Sequence, residues 1–349
     1  MMKRTQDYCG RFGSALLITG LVCACDASGS ALTLATGGSQ PVGQGGGQAT
    51  GGNPTGSDVG GNSMVGGGSG GGAAGGAPAT GGAKATGGAP TGGAPCVPGS
   101  QIGAKFSTNY AMLQYPQLSP YWVFNNGWST SSTTLTTAGA LQDVTALETC
   151  TPGVISWVTN YNWTGANNTV KGYPCAVLGW QKTKGFPVAA STSILPKAIS
   201  SLTSVKCSWS FDVTGSAAQN ISFDLWTHSG SCTASSIGGT APPTDEIMIW
   251  LYASGGVNPI GYNGGGQQVS ISGANWALST GSGSDTYGSW GVHSFVRQGN
   301  VTSITDLDIL AFLKNLNLGS KCLTSIEAGT EVFTGSGSLK TNTFSCTVQ

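Results

Sequence analysis

Apolar and polar residues alternate with a period of two over much of residues 96–349, and short runs of Gly, Asn and Ser separate the alternating segments. This pattern predicts β-strands that each bury one face. Many short strands at such spacing indicate an all-β fold, a sandwich or jelly roll of two packed antiparallel sheets. The predicted strands are 121–124, 154–161, 207–213, 221–227, 246–252, 268–271, 290–297, 323–333 and 339–348.

One segment instead has the period of an amphipathic helix. We expect Ser303, Thr305 or Asp306 to cap its start and Gly319 to end it. A single helix packed on a large sheet is the arrangement that the pattern predicts, and residues 96–349 are long enough to enclose one core. The apolar stripe of this helix consists of Ile309, Leu310, Phe312, Leu313 and Leu316.

The predicted strand in 245–250 (DEIMIW) carries a carboxylate on a face that is otherwise apolar. Alternation puts Glu246, Met248 and Trp250 on one face and the intervening isoleucines on the other. Placing a carboxylate beside apolar groups costs free energy, so its presence there suggests a function. This strand is therefore a candidate for chemistry.

A second predicted strand, 327–333 (EAGTEVF), repeats the feature, because Glu327 and Glu331 lie on one of its faces. The whole chain has only four glutamates, and Glu246, Glu327 and Glu331 are three of them. Paired carboxyl groups can act as general acid and nucleophile at a glycosidic bond. The two strands together therefore predict glycoside chemistry.

Composition narrows the class of ligand. Charged residues make up 8% of the chain and the net charge is zero, which excludes the basic footprint of a nucleic-acid-binding protein. Ten tryptophans among many Ser, Thr and Asn residues suit a neutral polar ligand such as carbohydrate. With His228 and His293 as the only histidines and no Cys-x-x-Cys pair, we expect no metal and no cofactor.

The first 25 residues are typical of a bacterial secretory signal rather than of the folded protein. Lys3, Arg4 and Arg11 precede the apolar run 12–24, which is short for a membrane span. The residues before Cys25 (VCA) resemble a lipobox, so we expect export and a lipid on Cys25 that anchors the protein to the cell envelope. The alternative is an ordinary secretory signal that releases an extracellular protein.

Residues 26–95 have the composition of a disordered linker. Between Gly37 and Pro95, 25 of 59 residues are Gly and none is aromatic, so no core can form. A flexible chain of this length spans about 45 Å on average. We therefore divide the chain into a signal (1–25), a linker (26–95) and one folded domain (96–349).

The folded domain contains seven cysteines, an odd number. An exported chain meets an oxidising environment, so disulfides are expected, with at least one thiol left over or used between molecules. The seven are Cys96, Cys150, Cys175, Cys207, Cys232, Cys322 and Cys346.

Eight groups of motifs, in order along the domain, resemble glycoside hydrolase family 12, whose members are endo-β-1,4-glucanases and xyloglucanases. The resemblance implies a β-jelly roll of the concanavalin-like type with one helix and a retaining mechanism. The motifs are 125–128 (NNGW), 156–157 (SW) with 162–165 (NWTG), 170–173 (VKGY), 208–210 (SWS), 223–226 (FDLW), 246–250 (EIMIW) with 259–261 (PIG), 294–296 (SFV), and 329–331 (GTE) with 333–337 (FTGSG).

The resemblance also implies roles for individual residues. It makes Glu246 the nucleophile and Glu331 the general acid/base, and it sets Asp224 beside the nucleophile. Because alternation turns Asp224 away from Phe223 and Leu225, its carboxyl group can reach the same face. We expect Asp224 to share a proton with Glu246 and to orient it.

Further residues of the resemblance are expected to contact substrate. Trp128 matches a sugar-stacking tryptophan, Asn126 is placed to bind hydroxyl groups, and Met248 and Trp250 line the floor of the cleft. Glu327 stands where the family commonly has glutamine, so a third carboxylate enters the site and raises the pKa of the acid. The resemblance also implies a disulfide between Cys96 and Cys150.

The sequence thus favours a monomeric retaining endo-β-1,4-glucanase whose ligand is a β-1,4-glucan polysaccharide. A non-catalytic carbohydrate-binding jelly roll on the cell surface is the main alternative, since the same scaffold and aromatic residues would serve binding alone. A tethered adhesin without sugar specificity is a third hypothesis, based on the linker.

Overall fold

The computed structural model describes residues 95–128, 132–182, 184–238, 242–285 and 288–349. The expected signal with Cys25 and residues 26–94 of the expected linker lie outside these residues. Among the described helices, none has the length and apolar character needed to cross a membrane.

The described residues are mostly β-structure, which confirms the all-β prediction. Sixteen strands and three short α-helices are present in this part of the chain. The strands are β1 (Gln101–Phe106), β2 (Met112–Leu113), β3 (Trp122–Phe124), β4 (Thr136–Thr137), β5 (Ala140–Leu147), β6 (Ile155–Trp163), β7 (Cys175–Gly179), β8 (Lys197–Ala198), β9 (Val205–Gly215), β10 (Ala218–His228), β11 (Asp245–Ser254), β12 (Gln267–Ile271), β13 (Ala274–Asp285), β14 (Gly288–Arg297), β15 (Ser303–Asp308) and β16 (Cys322–Val348), and the helices are α1 (Ala189–Thr192), α2 (Ala234–Ile237) and α3 (Ile309–Asn315).

The long strand β16 belongs to two sheets. Its first half pairs with β10 and β7 in sheet I, which runs in the order β12-β13-β14-β11-β10-β16-β7-β3-β2. Its second half pairs with β6 and β9 in sheet II, which runs in the order β1-β5-β6-β16-β9-β15. The two sheets form the expected sandwich.

One pairing departs from the expected antiparallel arrangement. Strands β11 and β14 are parallel, with Glu246 level with Val292. The β12–β13 hairpin lies between them in the chain. It brings the chain back to the end of the sheet at which β11 begins, so β14 runs in the same direction as β11. Parallel strands require such a crossover.

The core lies between the sheets, as the alternation predicts. Ile247, Ile249 and Leu251 of β11 are buried in it, together with Phe223 and Leu225 of β10. Side chains of the opposite parity on β10, β11 and β16 therefore lie on the other face of sheet I. This outer face carries the candidate site.

Helix α3 is shorter than expected and begins at a different cap. Its N-cap is Asp308, whose carboxylate accepts the N–H of Ala311 at 3.3 Å. The expected caps Ser303, Thr305 and Asp306 are wrong because residues 303–308 form β15, which pairs with β9. The helix ends at Asn315, before Gly319.

Three disulfides hold the domain. Cys96 and Cys150, the pair that the resemblance implies, are joined at an S–S distance of 2.04 Å. The other two pairs are Cys207 with Cys346, and Cys232 with Cys322. The seventh cysteine, Cys175, is buried on β7 beside Glu327.

Candidate active site

Four carboxyl groups share the outer face of sheet I. Strand β11 supplies Glu246, β10 supplies Asp224, and β16 supplies Glu327 and Glu331. All four residues are at most 7% exposed. Burial of several anions on one face is unfavourable, so their protonation states must differ.

Glu246 is held by a neighbour on β14. The indole N–H of Trp290 donates to Glu246 Oε2 at 2.7 Å. Burial raises the pKa of Glu246, whereas this hydrogen bond and the positive charge of Lys182 lower it. Both of these interactions favour the ionised carboxylate.

Glu331 has the opposite balance. Burial, followed by the negative charge of Glu246, raises the pKa of Glu331 to about 8. The side-chain amide of Asn220 donates to Glu331 Oε2 at 2.5 Å and partly opposes this rise. Glu331 is therefore protonated at acidic and neutral pH and can donate a proton.

Asp224 lies among the other carboxyl groups. Burial raises its pKa well above the ordinary value, and the charges of Glu246, Glu327 and Glu331 raise it further. Asp224 is paired with Met248 on the neighbouring strand β11 and with Glu327 on the neighbouring strand β16. Asp224 thus holds a proton when Glu246 is ionised.

Glu327 is the most deeply buried of the four, with 2% of its surface exposed. The thiol of Cys175 donates to Glu327 Oε2 at 3.6 Å. Burial raises the pKa of Glu327 to about 8, so its carboxyl group is largely neutral below that pH. It enters the site as an uncharged group under acidic conditions.

The residues expected to bind substrate lie on or near the same face. Met248 and Trp250 follow Glu246 along β11, and both are buried. Asn126 is buried, and its carbonyl accepts the backbone N–H of Tyr173 at 2.7 Å. Trp128 is half-buried and packs against two clusters of apolar residues. An aromatic ring that is partly exposed at the edge of a site is available for stacking on a sugar.

Several residues around the carboxyl groups were not predicted from the sequence. Asn220 could have been found, because it lies four residues before Asp224 on one strand and so shares its face. Trp290 could not be linked to Glu246, because their strands are paired only through the parallel crossover. Lys182 and Asp285 lie near loops and give no periodic signal.

Comparison with known proteins agrees with the fold and with the motifs. The model of glycosyl hydrolase family 12 matches residues 119–349. A xyloglucan-specific endo-β-1,4-glucanase A from Emericella nidulans is 32% identical over 221 residues, which are 61% of this chain and 79% of that protein. A Phytophthora nicotianae protein described as an inactive glycoside hydrolase is 30% identical over 226 residues, 63% of this chain and 83% of its own.

Among solved structures, a family 12 xyloglucanase from Bacillus licheniformis in complex with ligand is similar to this chain. It is 28% identical, with a TM-score of 0.57, and the match covers 71% of this chain and all of that chain. The jelly-roll sandwich expected from the sequence is therefore confirmed. The fold and the carboxyl groups define a glycoside hydrolase. This chain belongs to glycosyl hydrolase family 12.

Proposed function

We propose that this protein is a retaining endo-β-1,4-glucanase. It hydrolyses internal β-1,4 bonds of cellulose-type glucan, mixed-linkage β-glucan or xyloglucan by double displacement. The observation that carries the proposal is the contrast between two buried glutamates on one face of sheet I. Glu246 receives an indole N–H and faces a cation, whereas burial raises the pKa of Glu331 to about 8.

In the first step, the Glu246 carboxylate attacks the anomeric carbon and forms a glycosyl ester. The glycosidic C–O bond breaks, and Glu331 donates its proton to the leaving oxygen. Asp224 holds the proton that would otherwise neutralise Glu246. The contrast between an ionised and a protonated carboxyl is what this step requires.

In the second step, the roles of Glu331 are reversed. Its carboxylate takes a proton from water while the water oxygen attacks the anomeric carbon, and Glu246 leaves as a carboxylate. The product retains the β-configuration, and Glu331 is protonated again.

Substrate binding is assigned to the flanking side chains. Trp128 stacks on a glucosyl ring, and Asn126 hydrogen-bonds its hydroxyl groups. Met248 and Trp250 form the floor beside the nucleophile. Glu327, which is almost fully buried, contributes by its influence on neighbouring carboxyl groups more than by contact with sugar.

A non-catalytic carbohydrate-binding protein remains the second candidate, and one observation favours it. A relative that is 30% identical over 226 residues is described as inactive. Such a protein would bind β-glucan without cleaving it, whereas Glu246 and Glu331 together are more than binding requires.

The test is the release of new reducing ends from soluble β-glucan, with Glu246→Gln as the matched control. Initial rates on carboxymethyl cellulose, mixed-linkage glucan and xyloglucan then rank the substrates. Release by the wild type but not by Glu246→Gln supports hydrolysis at this site. Binding of all three polymers without any release would instead support the second candidate.

We also propose that the protein is exported and tethered to the cell envelope. The apolar run 12–24 and the residues preceding Cys25 support a lipidated N-terminus. Residues 26–95 would then connect the lipidated N-terminus to the hydrolase.

A further inference from the structure

A buried ion pair lies next to the nucleophile. Lys182 follows β7, and its Nζ is 2.5 Å from Oδ2 of Asp285 at the end of β13. The two side chains are 1% and 0% exposed. A buried ammonium group loses its hydration, so it persists as a charge only with a partner such as this carboxylate.

Two indole rings complete the surroundings of the ammonium group. Lys182 Nζ is 3.8 Å from the ring centroid of Trp290 and 5.2 Å from that of Trp226. Both distances are within the range of cation–π attraction. The two rings contact each other edge to face at 5.4 Å. We call Lys182, Asp285, Trp226 and Trp290 the lysine cage.

The cage is connected directly to the nucleophile. Trp290, whose face lies under the ammonium group, is the residue whose N–H donates to Glu246 at 2.7 Å. A cation over an indole face draws electron density from the ring and polarises its N–H, which strengthens the hydrogen bond. Lys182 therefore acts on Glu246 both through space and through Trp290.

A glycine on β13 permits this geometry. Gly283 pairs with Trp290, and a Cβ at this position would lie 2.4 Å from the indole nitrogen. No side chain larger than hydrogen fits there unless the ring moves. The chain thus leaves room for the indole where it contacts Glu246.

The cage has a defined electrostatic task. The charge of Glu246 raises the pKa of Asp224 on β10 and of Glu327 and Glu331 on β16. The cation that lowers the pKa of Glu246 itself is Lys182. Four buried carboxyl groups on one face cannot all be ionised, so some of them must be protonated when Glu246 is charged. The positive charge of Lys182 lowers the pKa of Asp224 and Glu327 as well. Glu246 receives the Trp290 hydrogen bond in addition to this charge, and the two together favour it as the carboxyl group that stays ionised.

We propose that Lys182 is a positioning residue for the nucleophile, holding Glu246 ionised and oriented through Trp290 while Asp285 and Trp226 hold the lysine in place. The effect of Lys182 on turnover rests on the proposed function. Its electrostatic effect on Glu246 can be measured without any substrate.

The test is carboxyl ¹³C NMR on the full chain labelled at glutamate. The chain has only four glutamates, so the spectrum is simple, and Glu246→Gln assigns the signal of Glu246. The variants are Lys182→Met, Lys182→Arg and the double variant Lys182→Met/Asp285→Asn. The double variant removes both charges and leaves no unpaired buried ion, so it is the variant expected to fold best.

We expect the titration midpoint of Glu246 to rise by about 0.5–1 pH unit in Lys182→Met and in the double variant, and to stay near the wild-type value in Lys182→Arg. The acidic limb of kcat/KM on an aryl β-cellobioside should move by the same amount, with little change in KM. A purely structural role would lower the melting temperature without moving either midpoint.

An unchanged Glu246 midpoint in the folded double variant would overturn the proposal. If the wild type releases no reducing ends, the proposed function fails, but the NMR midpoints still decide whether Lys182 acts on Glu246. The two failures are therefore distinguishable.

Discussion

The side-chain amide of Asn220 donates to Glu331 Oε2 at 2.5 Å, and the other end of the amide is also engaged. Its Oδ1 accepts from the hydroxyl of Ser222 at 3.1 Å and from the backbone N–H of Glu331 at 3.4 Å. These two donors fix the orientation of the amide. Because Oε2 accepts this hydrogen bond, the proposed mechanism assigns the acidic proton of Glu331 to Oε1.

The first prediction concerns this amide. Asn220→Ala should lower kcat on polymeric substrate about 10–100-fold, because the acid loses its orientation. The alkaline limb of the pH profile should move to higher pH, because the hydrogen bond lowers the pKa of Glu331 in the wild type. Ser222→Ala, which removes one support of the amide, should have a smaller effect in the same direction. An alkaline limb that stays in place in Asn220→Ala would contradict this role.

The second prediction concerns the space beneath Trp290. Gly283→Ala should displace the indole, break its hydrogen bond to Glu246 and lower kcat/KM at least about tenfold, even with activated aryl glycosides. The matched control is Gly319→Ala, because no atom lies within 4 Å of a Cβ at that position. Equal activity of the two alanine variants would show that the indole position is unimportant.

The third prediction links Glu327 to stability. Burial raises the pKa of Glu327 to about 8 in the folded protein. Below the ordinary pKa of about 4.3 both folded and unfolded states are protonated, so the group has no effect there. As the pH rises towards 8, the unfolded state ionises first, and the folded state loses stability.

Glu327→Gln removes this loss while keeping a neutral side chain. The variant should gain about 1–3 kcal/mol over the wild type at pH 7.5 and almost nothing at pH 4. Urea unfolding at the two pH values measures the difference, and most of the activity should be retained. A gain that is the same at both pH values would mean that ionisation of Glu327 is not its cause.

The fourth prediction concerns location. Cys25→Ser should release the protein from the membrane fraction, because it removes the atom that carries the lipid. Fractionation and mass spectrometry of the mature N-terminus measure this. A wild-type protein that is already soluble, with an N-terminus beyond Cys25, would exclude the lipoprotein.

Strong alternation made part of the structure predictable. Large apolar residues alternate with carboxylates along β11 and the first half of β16, so the face of each strand that carries Glu246 or Glu331 could be predicted. That the two faces adjoin was implied only by the resemblance. Strand β13 (ANWALSTGSGSD) was missed, because small Ser and Gly residues in its second half resemble a loop. It is nevertheless a strand because its neighbour β14 supplies the packing, including Trp290 over Gly283.

The contacts across the site could not be predicted in the same way. The partner of Lys182 lies about a hundred residues further along the chain, and neither residue has a periodic context. Conversely, the predicted helix caps were wrong because Ser303, Thr305 and Asp306 have good capping side chains but lie in the edge strand β15, which pairs with β9. Local preference was overridden there by sheet formation.

The fifth prediction separates the roles proposed for the two glutamates. Glu246→Ala should abolish turnover, and azide should restore reaction with inverted product, because the small anion fills the space of the nucleophile. Glu331→Ala should spare the glycosylation step with activated aryl glycosides, whose leaving groups need no proton, but nearly abolish cleavage of polymer. If both variants failed equally on aryl glycosides without rescue, the assigned roles would be wrong.

The configuration of the first product tests the central claim most directly. Proton NMR of a soluble β-glucan digest, recorded before mutarotation, resolves the anomeric signal of each new reducing end. Attack by Glu246 followed by attack of water inverts the anomeric carbon twice, so the account predicts that the β-anomer forms first. Initial formation of the α-anomer would contradict it.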